Sequence, residues 1–248
     1  MLVLASSTVN ALAPTNLAAA EALVARVYPG GAGKSTGGDE YGERLAIGRK
    51  AQLGDDLVYR PGLIGGGSVD TALTYGEYDL GFFASLVDRA LDGGDGAGHS
   101  FVDVGSGCGR LVLAASELWP ALARVSGVES VAELHALAAA ASSAAPRAVD
   151  FYCADAHDAL RADGPLGDAS LVFAYTSTWP SFGDELTDFS VTCGTRLQSG
   201  TRVVTTDKRL SNDGPWEVRL LDALEGVNAE TGGDSVGYVQ EVVRSTRG

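Results

Sequence analysis

From residue 70 onward, short apolar runs alternate with Ala- and Leu-rich stretches of helical period, which predicts an α/β domain on a mainly parallel sheet. The pattern places a helix over residues 80–91, a strand over 101–104 and a helix over 109–118. The unit then recurs: strand 124–128 with helix 131–145, strand 149–153 with helix 157–162, strand 170–175 with helix 184–197, and a fifth strand over 202–206. Residues 216–221 and 237–243 alternate in character on either side of a Gly-rich turn, as an antiparallel hairpin does. A doubly wound sheet ending in a C-terminal antiparallel hairpin is therefore expected.

The first 69 residues are less ordered in pattern. A helix is predicted over 11–27, with Pro14, Thr15 and Asn16 as its start signal. Residues 29–38 (PGGAGKSTGG) form a Gly-rich loop, and Gly65-Gly66-Gly67-Ser68 ends a weakly patterned region containing Arg49, Lys50 and Arg60. Residues 1–69 thus read as a partly flexible N-terminal arm, and 70–248 as the domain that carries the chemistry. No strand that the sheet needs falls within residues 1–38.

Composition narrows the function. A chain of 248 residues is one large domain and can bury roughly 70% of its unfolded surface. Against 32 Asp and Glu stand 18 Lys and Arg, a net charge of −14, so tight binding to nucleic acid through phosphate neutralisation is not expected. No apolar run reaches the roughly 18 residues of a membrane-spanning helix, and Met1-Leu2-Val3-Leu4 lacks the basic start of a secretory signal. Cys108, Cys153 and Cys193 form no C-x-x-C pair, and His99, His135 and His157 are isolated, so no metal site is expected.

The sharpest local pattern is FVDVGSGCGR, residues 101–110, where an apolar strand carrying Asp103 runs into Gly105-x-Gly107-x-Gly109 as a helix begins. Glycines there let the backbone approach a ligand, and the helix N-terminus offers unpaired N–H groups to an anionic group. Glu129 ends the next strand, where a carboxylate can accept both hydroxyls of an adenosine ribose. Asp155 follows the third strand, as a helix N-cap, as an acceptor for an adenine amino group, or as both. A dinucleotide fingerprint would need glycine where Arg110 stands, whereas G-x-G-x-G is the spacing usual in S-adenosylmethionine (SAM)-dependent methyltransferases. SAM is accordingly the cofactor expected, on a class I, Rossmann-like methyltransferase sheet, with Asp103 facing its ammonium group. Gly33-Lys34-Ser35 is no P-loop, because Tyr28 stands where the first glycine belongs. Gly33-x-Ser35-x-Gly37 is no nucleophile elbow, because no strong strand leads into it.

From about residue 73 to 243 the chain resembles the DOT-one-like (disruptor of telomeric silencing) class of SAM-dependent histone lysine methyltransferases. The resemblance rests on Tyr75-Gly76-Glu77, the following helix with Phe82, Phe83 and Leu86, then FVDVGSGCGRLVLAA, Gly127-Val128-Glu129, and residues 197–204. It implies that Tyr75 and Glu77 close over the methionine end of SAM, that Asp103 and Gly105 hold its amino-acid part, Glu129 its ribose and Asp155 its adenine. Three departures stand out. The family's paired asparagines and Phe are replaced by Tyr175-Thr176-Ser177-Thr178-Trp179-Pro180, Ala156 stands where an aromatic residue is usual, and the family's basic stretch for nucleosomal DNA is not found.

Methyl transfer from a sulfonium needs alignment and exclusion of water rather than a catalytic triad. A lysine acceptor must be neutral when it attacks, which an apolar aromatic channel favours. Tyr75, Tyr175, Thr176, Trp179 and Tyr238 are the acceptor-side candidates. The reading is a histone-type protein lysine N-methyltransferase with a basic protein substrate, histone included. The alternatives are a methyltransferase for another protein or a small metabolite, and a SAM-binding module without turnover. A nuclear or cytoplasmic location is the default expectation. Residues 9–14 (VNALAP) faintly resemble a plastid presequence cleavage region, which makes plastid the alternative.

Overall fold

The computed structural model describes residues 16–29, 39–53, 73–228 and 232–247. Five strands run parallel: β1 (Ser100–Val104), β2 (Arg124–Glu129), β3 (Asp150–Cys153), β4 (Leu171–Ala174) and β7 (Arg202–Thr206). Two long strands, β9 (Glu217–Val227) and β10 (Asp234–Arg244), pair antiparallel, and β10 also lies antiparallel to β7. The order across this sheet is β3-β2-β1-β4-β7-β10-β9, the doubly wound arrangement with a C-terminal hairpin expected of a class I methyltransferase fold. A second, small sheet contains β5 (Ser181–Phe182), β6 (Glu185–Leu186) and β8 (Arg209–Leu210).

The strand period of two sorts β1 between two cores. Phe101 packs with Phe83, Leu113, Leu122 and Phe173 under α3 (Leu80–Ala90) and α4 (Arg110–Leu118). Val102 and Val104 pack with Leu160, Val172, Leu186 and Val203 on the other face, under α6 (Ala156–Ala159) and α7 (Asp188–Arg196). All five residues of β1 are buried, so Asp103 is carried into the interior by its neighbours. Burying each of Phe83 and Phe101, which meet edge to face at 6.1 Å, contributes about 1.5–3 kcal/mol. α5 (Ala132–Ala141) connects β2 to the edge strand β3.

Two helices come from the stretch expected to be an arm. α1 (Leu17–Val27) buries Ala20, Leu23 and Val24 in the same core as α4, and the Asn16 side chain donates to the Glu117 carbonyl at 3.2 Å. Tyr28, just past its end, is buried and donates its hydroxyl proton to the Cys108 carbonyl. α2 (Asp39–Leu53) was not visible in the pattern, because it has no apolar stripe and docks through polar groups instead. The boundary drawn at 69/70 itself lies outside the described residues. Residues 11–15, the Gly33–Gly37 patterns and Gly65-Gly66-Gly67-Ser68 lie outside the described residues.

Other differences have local causes. The helix expected over 131–145 gives way to a 3-10 turn at Ser142–Ala144, ahead of Pro146. The helix expected from 184 begins at Asp188, because β5 and β6 form a hairpin turned by Gly183 at φ 62° and held by Arg209, 3.0 Å from Asp184 and 2.7 Å from Glu185. α6 is a single turn rather than the helix expected over 157–162. Among the described residues no helix is long and apolar enough to cross a membrane.

Candidate active site

The loops at the C-terminal ends of β1, β2, β3 and β4 enclose a cavity of about 540 Å³, large enough for a nucleoside-sized ligand. It sits where the strand order reverses on either side of β1, the usual ligand position in such sheets. Its wall includes Tyr75, Tyr78, Asp103, Gly105, Ser106, Gly107, Cys108, Arg110, Glu129, Leu134, Asp155, His157, Tyr175, Trp179, Phe189 and Thr192.

The glycine loop is built as its sequence requires. Gly105 and Ser106 donate their N–H groups to the Val128 carbonyl at 2.9 and 3.0 Å, which staples the loop to β2. Gly107 has φ 54°, and a Cβ there would stand 2.8 Å from the Tyr75 ring. Gly109, the N-cap of α4, has φ 90°, and a Cβ would stand 2.6 Å from the Phe151 ring. Any other residue at these two positions would be strained twice over, in its backbone and by close approach.

Three carboxylates from three successive strand ends open onto the cavity. Glu129 accepts from the N–H of Gly107 at 2.8 Å and of Val131 at 2.7 Å, so it clasps the glycine loop to the start of α5. Burial raises its pKa while those N–H groups oppose the shift. Asp103 is 3% exposed, and burial with the neighbouring Glu129 charge pushes its pKa up to about 8. Asp155 caps α6, its Oδ1 accepting from the His157 N–H at 2.7 Å, and its carboxylate faces the cavity as well. The His157 ring is held by Thr192 Oγ1 at 3.0 Å on Nδ1 and by Arg196 Nη2 at 2.6 Å on Nε2. A guanidinium only donates, so Nε2 is the acceptor and the network assigns the ring proton to Nδ1.

Tyr75 lies on the wall with its hydroxyl donating to Glu77 Oε1 at 2.9 Å and 3.1 Å from Cys108 Sγ. Burial raises its pKa well above the ordinary phenol value, so it stays a neutral phenol. The Tyr78 and Tyr175 rings, also on the wall, meet tilted by 52° at 4.9 Å, the Tyr175 hydroxyl accepting from Asn228 Nδ2 at 3.0 Å. Trp179 packs edge to face on Phe189 at 5.0 Å, and its carbonyl accepts from 1 Lys208 Nζ proton.

Of the expected residues, Tyr75, Asp103, Gly105, Gly107, Glu129, Asp155, Tyr175 and Trp179 share this wall, and four do not reach it. Glu77 is 2% exposed behind Tyr75, ion-paired with Arg44 at 2.7 Å and Arg110 at 3.3 Å. Gly109 shapes the loop from below. Thr176 is withdrawn into the sheet, where its Oγ1 donates to the Thr206 carbonyl at 2.6 Å and its N–H donates to Thr206 Oγ1 at 3.0 Å. Tyr238 is paired across β10 with Thr205 and Ala223, on the strand face opposite Val239, and feels the charges of Asp184 and Arg209. The pattern missed Tyr78, Arg110, His157 and Phe189 as wall residues. Arg110 carried a signal, as the cation occupying a glycine position.

No family model matches the chain, and no curated protein matches it. Among solved structures it is similar to an RNA methyltransferase from Salinibacter ruber in complex with S-adenosyl-L-homocysteine, at 24% identity and TM-score 0.46, over 64% of this chain and 90% of that one. It is also similar to the magnesium protoporphyrin IX methyltransferase ChlM from Synechocystis PCC 6803 with bound SAM, at 14% identity and TM-score 0.49, over 82% of this chain and 97% of that one. A third is TrmN from Thermus thermophilus, at 18% identity and TM-score 0.46, over 64% of this chain and 48% of that one. The first two are named as methyltransferases, and none of the three is named as a histone enzyme.

Proposed function

We propose that the chain is a SAM-dependent methyltransferase whose acceptor is a lysine side chain of a basic protein. The observation that carries the cofactor reading is the convergence of Asp103, Glu129 and Asp155, from three successive strand ends, on one cavity beside a left-handed glycine loop. Those groups fit the cofactor's own chemistry: Asp103 would take its ammonium, Glu129 its ribose hydroxyls and Asp155 its adenine amino group. When bound, SAM would supply a methyl group on a sulfonium: an N–CH3 bond to a neutral amine would form as the S–CH3 bond breaks, the sulfur leaving as a neutral thioether and the positive charge passing to the nitrogen. The protein's part is to align that nucleophile with the methyl group and exclude water as a competing nucleophile.

The acceptor reading is supported by the aromatic side of the cavity. Tyr78, Tyr175 and Trp179 line it, and an apolar aromatic wall favours the neutral, nucleophilic form of an amine. Between the wall residues Pro180 and Asp188 the chain makes the β5–β6 hairpin, which carries Phe182, 88% exposed. An exposed aromatic there suits a macromolecular acceptor, and the net charge of −14 suits a basic one. A second reading, a small-metabolite acceptor, is favoured by Thr176: its hydroxyl is spent on Thr206 and gives the acceptor no polar contact.

Labelled-methyl transfer from SAM onto free histones, nucleosomes, whole lysate and its small-molecule fraction separates these readings. Label on basic proteins, falling as salt rises from about 50 to 300 mM, is expected. Label confined to a neutral small molecule, insensitive to salt, would refute the lysine acceptor.

A further inference from the structure

The polar docking of α2 reaches the cavity wall directly. Arg44, with its side chain 5% exposed, gives Nε and Nη2 to Glu77 Oε1 at 3.0 and 2.7 Å. The same oxygen accepts from the Tyr75 hydroxyl at 2.9 Å. Two glycines then pinch Tyr75 from opposite sides. A Cβ on Gly48 of α2 would stand 2.3 Å from the Tyr75 Cβ, and a Cβ on Gly107 of the cofactor loop 2.8 Å from its ring. One turn further along α2, Gln52 Nε2 donates to Thr74 Oγ1 at 2.9 Å, another wall residue.

α2 also meets α5, where Lys50 Nζ lies 3.5 Å from Glu133 Oε1, and its Arg44 guanidinium lies over the Tyr28 ring at 5.6 Å. It spans 15 residues with glycines at 42 and 48, a composition that is marginal as a free helix. Its order thus depends on its docking, of which the buried part is made with Tyr75 and Glu77. Losing Arg44 would leave Glu77 with Arg110, at 3.3 Å on Oε2, as its charged partner, while Oε1, the oxygen that holds the Tyr75 hydroxyl, would lose both guanidinium bonds that fix it.

We propose that Arg44 is a positioning residue for the cofactor. Through Glu77 it holds Tyr75 against the glycine loop, so that α2 and residues 73–79 form a single wall that must come away together for the cofactor to exchange. This rests on the SAM reading above. Arg44 touches no cofactor; its effect passes through Glu77 and Tyr75.

The test uses the full chain with S-adenosylhomocysteine as probe. Hydrogen exchange with and without it should show residues 39–53 and 73–79 gaining protection together. Chasing labelled probe with unlabelled should show dissociation faster by about tenfold or more in Arg44→Gln and in Gly48→Ala, the latter displacing Tyr75 sterically with the ion pair left in place. A merely structural role would lower the melting temperature and leave dissociation from the folded protein within about twofold of the parent. That result, or protection of 73–79 with exchange at 39–53 unchanged, overturns the proposal, and the exchange experiment decides even if both variants fail to fold. Failure of the unaltered chain to bind the probe at all is a different result, seen before any variant is made, and it removes the SAM reading together with this inference.

Discussion

Asp103 should make cofactor binding release a proton. Burial beside Glu129 pushes its carboxyl pKa up to about 8, so in the free protein at pH 6.5 it is mostly protonated. Pairing it with the ammonium of S-adenosylhomocysteine requires the ionised form, so close to one proton should leave for each molecule bound. The linked affinity then rises with pH, by nearly tenfold or about 1.4 kcal/mol between pH 6 and 7. Calorimetry in two buffers of different ionisation enthalpy measures the released proton. Asp103→Asn should abolish the release and the slope, and should weaken binding by about 1.5–3 kcal/mol, the worth of a charge-assisted hydrogen bond. The sign for the free chain is the reverse. A carboxyl whose pKa is raised on folding from 3.8 to about 8 stabilises below the lower value and loses that stabilisation as pH rises through the upper one. Asp103→Asn should therefore flatten the fall in melting temperature between pH 4 and 8. Full binding with no proton exchange at pH 6.5 would refute the placing of the ammonium on Asp103.

A chain beginning at Asp39 loses α1 and exposes the face of α4 that Leu23 and Val24 cover, so it should melt at least about 3 kcal/mol less stable, contrary to the dispensability expected from the pattern. Tyr28→Phe isolates one element of that packing: loss of the hydrogen bond to the Cys108 carbonyl should cost about 1 kcal/mol in denaturant titration. Trp179→Ala should reduce turnover by more than it reduces S-adenosylhomocysteine affinity, as steady-state kinetics and calorimetry on the same variant will report. Phe182→Ser, at an 88% exposed position, should leave the melting temperature unchanged and raise KM for a protein acceptor; an unchanged KM would argue against docking at this hairpin.

What could be read from the sequence was local. Strands β1 to β4 and β7 were found because each is a short apolar run, and the glycine loop because three glycines at alternate positions follow a strand. Glu129 and Asp155 followed from their places at strand ends. Arg44 was invisible because its partner Glu77 is 33 residues away and α2 has no apolar period to reveal it. Thr176 and Tyr238 went astray for opposite reasons. Thr176 lies just past the end of β4, whose C-terminal end meets the cavity, but its hydroxyl bonds the Thr206 carbonyl of β7 instead. Tyr238 alternates with Gly237, which lies against Leu86, and Val239, so the strand period turns its ring to the opposite face.

The central claim is that the cavity at the ends of β1, β2 and β3 holds an adenosyl cofactor by its three carboxylates. Calorimetric titration of S-adenosylhomocysteine into the unaltered chain and into Glu129→Ala, the variant checked for folding by circular dichroism, tests it most directly. The account predicts one molecule bound per chain, and a loss of about 2 kcal/mol in the variant as the ribose hydroxyls and the clasp on Gly107 lose their acceptor. Absence of binding by the unaltered chain, or equal affinity in a folded Glu129→Ala, would contradict it.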